Sequence, residues 1–506
     1  MTEFFLGIDI GTYETKGVLV DTAGAVHATT RARHGISTPH PGHVEHDAID
    51  VWWSDFTSVS RELVAQLNPG DEILAVACSA IGPCVLPVDS QLNPLRPAIL
   101  YGVDTRADEQ IADFERRIGR DEIFRRSGNT LTSQSAGPKI AWIADNEPAV
   151  AEAARWYMTS QSFLVAKLTG EVVIDHATAG YYHPFYDLTD GCWDLSGFTD
   201  ILRVEQLPAL RWSSDVAGYV NAAASAETGI REGTPVVTGT SDAVAEAVGA
   251  SVMDDGDLML MYGSSGYMIR VVSEPVADNV LWSAPFASPD SYVLAAGTST
   301  AGTATRWAAD VLGLNDAAGD AAMFSALMDL VHEAQPGADG VVHIPHFSGE
   351  RTPFHDPGAR GVFTGLSLTT GRAELARAVI EGVAHSVVAA VSAYTDIGLR
   401  PKRVMAIGGG TKNDVLVQTV SDLLGFEQNC AATIGAAYGD TILAALGLAI
   451  TTKSDIRENW VAIDATVSPR SHDDPTVETL RRAHGEFLST YTALRCARSN
   501  EEEKTE

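Results

Sequence analysis

The chain has 506 residues, more than one hydrophobic core usually supports, and its 45% hydrophobic and 20% charged content is that of a globular protein rather than a disordered one. A formal net charge of −31 disfavours nucleic-acid backbones and anionic lipid surfaces as partners, while a local gathering of basic residues still leaves an anionic substrate open. The five cysteines (Cys78, Cys84, Cys192, Cys430, Cys496) are scattered, which excludes a disulfide framework and a zinc site. With no leader-like N-terminus and no run of about 18 apolar residues, they point to a soluble cytoplasmic protein.

Taken in chain order, "FFLGIDI" and "TKGVLVD" read as two strands around a tight turn, with a second turn at "TAGA". That is a hairpin meander, not the strand-to-helix start that dinucleotide binding needs. Asp9 stands inside the first apolar strand, where an unpaired carboxylate is costly. It is either a cap for the turn at Gly11-Thr12 or a functional group. "PHPGHVEHD" sets His40, His43 and His46 at metal-like spacing, but without cysteine partners or helical pairing it reads as a surface loop. "YGVDTRA" follows the strand-like "RPAIL" and carries Asp104 and Arg106, either an exposed ion pair or a hydroxyl-binding pair.

"GTPVVTG" is a strand that leads into Ser241-Asp242, an N-cap pair for the helix "AVAEAVGA". "DLMLMYGSSGYMIRVV" then repeats the opening shape: an apolar strand, a small-residue turn and a second strand. Two such hairpins, each opening about half of the chain, suggest related halves. "AELARAVIEGVAHSVVAAVSAYTDI" carries the stripe of a core helix, and "DVLVQTVSDLLG" a helix capped by Asn413 and stopped at Gly425. The end, "SNEEEKTE", is a charged, frayed tail. Strands and helices alternating after each hairpin predict an α/β fold with mixed sheets.

Four turns at predicted strand ends could share one use: "DIGTYETK", "GTSDAVAEAVG", "YGSSG" and "AIGGGTKND". Backbone N–H groups freed by glycine, with Ser or Thr hydroxyls, supply the donors a polyphosphate needs. A carboxylate beside an acceptor hydroxyl, the place of Asp242, orients it and takes its proton in phosphoryl transfer. Asp9, beside phosphate-binding glycines, would hold magnesium through water.

These residues resemble the FGGY carbohydrate kinases of the actin/Hsp70/sugar-kinase ATPase superfamily, most closely the xylulokinase branch. Asp9, Gly11, Thr12 and Lys16 match the family's "D-x-G-T-x-x-x-K" phosphate element, and Asp242 falls on its catalytic aspartate. "IPHFSGERTPFHDPGARGVFTGLS" and the following "LTTGRAELARAVIE" are similar to the long family signature, and Lys139, Trp142 and Asn146 fit part of a shorter one. The resemblance runs from about Phe5 to Gly447. It implies two related actin-like, ribonuclease H-like domains with mixed sheets flanked by helices: an N-terminal domain over 1–250, a C-terminal domain over 251–496 and a tail over 497–506. The active site is expected in the interdomain cleft. ATP and Mg²⁺ are implied, with Gly263, Ser264, Gly302, Arg306, Gly409, Gly410 and Asn413 also on the nucleotide, Asp9 on the metal and a homodimer as the assembly.

On the sugar, the resemblance implies Asp104, Arg106, Gly82 and Asp242. Xylulokinases carry a polar "G-Q-M-H-G" segment where this chain has Ala80, Ile81, Gly82 and Pro83, which removes side-chain donors. The resemblance implies a ketopentose such as D-xylulose as acceptor, while the lost donors favour a shorter or deoxygenated ketose or polyol; glycerol, ribulose, a tetrulose or another polyol are the alternatives. A non-catalytic sugar-sensing ATPase is the rival from another class.

Overall fold

The computed structural model describes residues 2–314, 319–432 and 435–502, with side chains to 498. By their contacts they form two compact units. The first comprises Met1–Asp255, Val271–Leu294 and Thr433–Ala462, and the second Gly256–Arg270, Ala295–Ala432 and Ile463–Glu506.

The first unit is built on a sheet whose leading strands are β1 (Glu3–Ile10), β2 (Glu14–Asp21) and β3 (Val26–Arg33). Further strands are β4 (Glu72–Ala80), β5 (Val216–Tyr219) and β6 (Pro235–Val237), giving the order β5-β6-β4-β1-β2-β3. β1 is antiparallel to β2, with Asp9 opposite Lys16, and parallel to β4, with Asp9 beside Ser79. Every residue of β1 after Glu3 is buried, the mark of a strand covered on both faces.

On one face Gly17 lets the helix Ser54–Val64 approach, since a Cβ there would lie 2.4 Å from Val59. On the opposite face, which Gly7 shares with Asp9 by strand alternation, lies the helix Ala436–Gly447. A Cβ on Gly7 would meet the Ala437 carbonyl at 2.0 Å. That helix crosses the helix Asp242–Gly249 backbone on backbone: a Cβ on Gly439 would stand 1.7 Å from the Ala245 oxygen. Between β4 and β5 the chain adds a satellite core around Phe114, Tyr182, Phe185 and Phe198.

In the second unit the strands run Gly266–Val272, Asp257–Tyr262, Arg403–Ile407, Gln428–Cys430 and Ala465–Val467. Asp257–Tyr262 is antiparallel to its hairpin partner and parallel to Arg403–Ile407, the connectivity β1 has with β2 and β4. The repeated hairpin expected from sequence is thus a repeated sheet motif. The helix Arg372–Asp396 is long and apolar enough to pass for a membrane span by composition, but 89% of its most apolar stretch is buried inside the protein. The helix predicted after Asn413 runs from Asp414 to Leu424, with Asn413 Oδ1 accepting the Leu416 N–H and Gly425 in the left-handed conformation at its end. The helix Pro475–Glu502 runs into the charged tail, and residues 503–506 lie outside the described ones.

Candidate active site

The first unit gathers its acids at the end of β1. Asp9 is 8% exposed, and its Oδ1 lies 3.3 Å from the Ser79 hydroxyl. Burial pushes its carboxyl well above the usual range; the negative charge of Asp242 adds to this and Lys16, across the hairpin, opposes it. The turn beyond is pinned locally. Gly11 N–H donates to the Glu14 carbonyl, and His34 bridges the Gly11 carbonyl (3.1 Å) to Asp55 (2.8 Å). Thr12 Oγ1 shares a 3.0 Å hydrogen bond with the Tyr101 hydroxyl.

Asp242 is the first residue of its helix, with Ser241 at the N-cap, and its Oδ1 accepts the Ala243 N–H at 2.8 Å. Burial raises its pKa to about 6, only partly offset by backbone donors. One turn on, Glu246 is raised to about 7 by burial and then by Asp242 itself. The charge of Asp242 also helps to raise the Tyr101 hydroxyl and the Cys84 thiol, both pushed up first by burial. Asp9 and Asp242, 233 positions apart in sequence, therefore feel each other's charge.

The Asp104–Arg106 pair is placed differently from either sequence reading. Both side chains are buried: Arg106 forks onto Asp104 (Nε to Oδ1 3.0 Å, Nη2 to Oδ2 2.7 Å) and Asp104 Oδ2 also accepts the Val44 N–H. Arg106 Nη1 lies 2.8 Å from Glu45, off the hydrogen-bond direction, and its guanidinium sits 4.9 Å over the Trp142 ring. The pair ties the loop bearing Tyr101 to Val44, while Arg106 Nη1 has no hydrogen-bond partner among the described residues. Lys139 clamps the same loop, its buried ammonium donating to the carbonyls of Leu100 (2.6 Å), Tyr101 (2.8 Å) and Ser133 (2.6 Å). Gly82 follows β4 directly, where Ile81 N–H donates to Ile10 at the end of β1. Its neighbours are Thr178 and Thr159. Of the three histidines in "PHPGHVEHD", His46 is buried and accepts the Trp52 indole N–H, while His43 packs edge-on against Trp142.

The second unit holds a cavity of about 420 Å³. Gly263, Ser264, Gly302, Arg306, Gly409, Gly410 and Asn413 all line it, so seven residues singled out in three separate sequence segments meet in one place. The turn and the helix Gly302–Val311 are stitched together: Gly302 N–H donates to the Gly263 carbonyl and Ala301 N–H to that of Ser264. A Cβ on Gly302 would stand 2.7 Å from the Gly263 oxygen. Met323, Phe324 and Leu416 supply an apolar wall, and Arg306 pairs with Asp320 at the rim. An apolar slot flanked by glycines, where a ligand can approach the backbone closely, suits a purine nucleoside with a phosphate tail.

The FGGY family model of carbohydrate kinases matches this chain in both of its parts, the N-terminal domain over residues 4–249 and the C-terminal domain over 258–448. The chain belongs to the FGGY family of carbohydrate kinases. This FGGY kinase is 30% identical to the xylulose kinase of Escherichia coli K12 over 449 residues, covering 87% of this chain and 89% of that protein. It is 26% identical to the gluconokinase of Bacillus subtilis 168, covering 90% and 89%. Its fold superposes on the xylulose kinase of Rhodospirillum rubrum with a TM-score of 0.89 at 30% identity, covering 97% and 99%. It is an ATP-dependent phosphotransferase with a sugar hydroxyl as acceptor.

Four residues of the kinase escaped the sequence reading as site groups: Tyr101, Glu246, Phe324 and Asp440. Glu246 carried a usable signal, an acid one turn beyond Asp242 on the same helix face. Asp440 carried the signal that had drawn attention to Asp9, an acid inside an apolar run ("GAAYGDTILAALG"). For the metal, no three described carboxylate, imidazole or thiol groups converge for direct coordination. The hard oxygens of Asp9 fit a magnesium ion held through its water shell.

Proposed function

We propose that this kinase phosphorylates a small ketose, D-xylulose first, with Asp242 as the general base. The observation that carries the base is the position of Asp242 at a helix start, half-buried and desolvated enough to raise its pKa to about 6. It is ionised at neutral pH yet basic enough to take a hydroxyl proton as the oxygen attacks phosphorus. Gly11 and Thr12 would meet the phosphates from the first unit. Gly263, Ser264 and Gly302 would do so from the second, with the adenosine against Gly409, Gly410, Asn413 and Phe324. Magnesium, when bound, would supply charge neutralisation on the phosphates, and Asp9 would hold it. Lys16 balances part of the Asp9 charge. Asp104, Arg106 and Lys139 would act on the sugar through the loop they hold, with Gly82 and Tyr101 at its surface.

The relatives named for xylulose favour a ketopentose; the loss of polar side chains over Ala80 to Pro83 favours a second reading, an acceptor with fewer hydroxyls to satisfy. A cytoplasmic location, supported by five free cysteines, and a homodimer complete the proposal. A coupled ADP-release screen over D-xylulose, ribulose, tetruloses, gluconate and glycerol tests it. The highest kcat/KM on D-xylulose supports the first reading and on a shorter acceptor the second, while no release with any of them would favour a sugar-sensing role.

A further inference from the structure

Asp440 lies on the helix Ala436–Gly447, fully buried, in the middle of a face otherwise used for packing on β1 and β4. Its Oδ2 accepts two hydrogen bonds from one residue: the Ser79 backbone N–H at 3.0 Å and the Ser79 hydroxyl at 2.8 Å. Its Oδ1 is buried and meets no hydrogen-bond donor among the described residues. Ser79 stands beside Asp9 in the parallel register of β1 and β4, and its hydroxyl is 3.3 Å from Asp9 Oδ1.

That hydroxyl has one hydrogen and two carboxylates around it. The shorter contact holds the hydrogen, so it points mainly to Asp440 at 2.8 Å and only weakly to Asp9 at 3.3 Å. Asp9 thereby gives up little of its acceptor capacity to Ser79. A helix that supplied only an apolar side chain here would let the hydroxyl turn and donate to Asp9, spending one acceptor of the group proposed to face the metal. The close approach at Gly7 and Gly439 keeps Asp440 from moving away. The groups that face this chain of contacts are Asp9, Asp242, Glu246, Lys16 and Cys78.

We propose that Asp440 is a positioning residue for phosphoryl transfer: by holding the Ser79 amide and hydroxyl it turns the Ser79 hydrogen away from Asp9 and leaves that carboxylate open to a divalent cation. This rests on the reading of Asp9 as the metal-facing residue.

The test is Mn²⁺ binding in the presence of ADP, followed by electron paramagnetic resonance, alongside steady-state kinetics and thermal melting. Asp440→Ala is expected to weaken Mn²⁺ binding and lower kcat about tenfold each, with the sugar KM within twofold of the parent. Asp440→Asn, whose amide oxygen still accepts from Ser79, is expected to stay within threefold in both. Because Asp440 acts through Ser79, Ser79→Ala combined with Asp440→Ala should be no worse than the worse single variant. Parent-like Mn²⁺ binding in Asp440→Ala, or losses that multiply in the double variant, would overturn the proposal. If Asp440→Ala does not fold, Ser79→Ala decides: it removes the hydrogen that the rotor would otherwise give to Asp9. Mn²⁺ affinity at or above the parent's with Asp440→Asn parent-like supports the proposal, and loss in Asp440→Asn sinks it. Asp9→Asn separates the two readings: unchanged Mn²⁺ binding there means that Asp9 is not the metal residue.

Discussion

The Lys139 ammonium sits 2.8 Å from the carbonyl oxygen of Tyr101, inside the protein, with no carboxylate among the described residues hydrogen-bonded to it. Its other partners are also carbonyls, so three backbone oxygens are satisfied by one cation whose pKa burial has lowered to about 8. Lys139→Met should leave all three carbonyls without that donor. A loss of about 3 kcal/mol in unfolding free energy is expected, together with a raised sugar KM because the Tyr101 loop loosens. Chemical denaturation and substrate titration read the two effects separately.

Asp242→Asn should abolish sugar-dependent ADP release and leave ADP affinity within about twofold, measured by calorimetry. In the parent, kcat/KM should fall as pH drops below about 6, because only the ionised carboxylate accepts a proton. Stability moves the other way. A carboxyl whose pKa rises from 3.8 to about 6 on folding costs stability once ionised, so that stability is lost as pH climbs through this window. The asparagine variant should therefore be more stable than the parent at pH 8, by about 1–2 kcal/mol after discounting for partial solvent contact, and no more stable near pH 3.

Gly302→Ala should weaken ADP binding about tenfold, on the order of 1.4 kcal/mol, since the new methyl must push the Gly263 carbonyl from 2.7 Å. The residues proposed for the sugar are others, so the sugar KM should hold; an equal loss in both constants would contradict this division of labour.

The second unit should be acid-sensitive. His343 and His385 are buried and His484 half-buried, with pKa values lowered by desolvation to about 3, 3 and 4, beside the His346–Glu350 pair and the aromatic rings of Phe487 and Tyr491. Each stays neutral when folded and charges when unfolded, so stability is lost as pH falls below 6.5. The slope approaches about 4 kcal/mol per pH unit for the three together. His343 has no hydrogen-bond partner on either ring nitrogen among the described residues and packs between Trp307, Phe347 and Phe363. His343→Phe should remove about one third of the acid slope, which melting curves from pH 7 to pH 5 would show.

What was legible in the sequence was what neighbours in the chain decide. The two hairpins, the Asn413 cap and the Gly425 stop follow from local turn and helix chemistry and stand where they were predicted. Asp104 and Arg106 were recognised as a pair, but their burial depends on Val44, Glu45 and Trp142, which no local pattern connects to them. The Asp440–Ser79 contact spans 361 positions. Only the anomaly of an acid in an apolar helix hints at it, and such an anomaly names no partner.

The crossing of the Asp242 and Asp440 helices at Gly439, with backbone against backbone, sets where variation in this enzyme can come from. At Gly7 and Gly439 there is no room for even one added carbon, and any change would separate the acids from β1. The loop after β4 and the Tyr101 loop leave more room: a Cβ on Gly82 would stand 3.4 Å from Thr178, an ordinary contact, and Val103 is exposed. A mutagenesis library aimed at those two loops should yield folded proteins with altered sugar preference. One aimed at the crossing should yield mostly insoluble chains, so new acceptors would be acquired at the loops while the proton-transfer apparatus beneath them stays fixed.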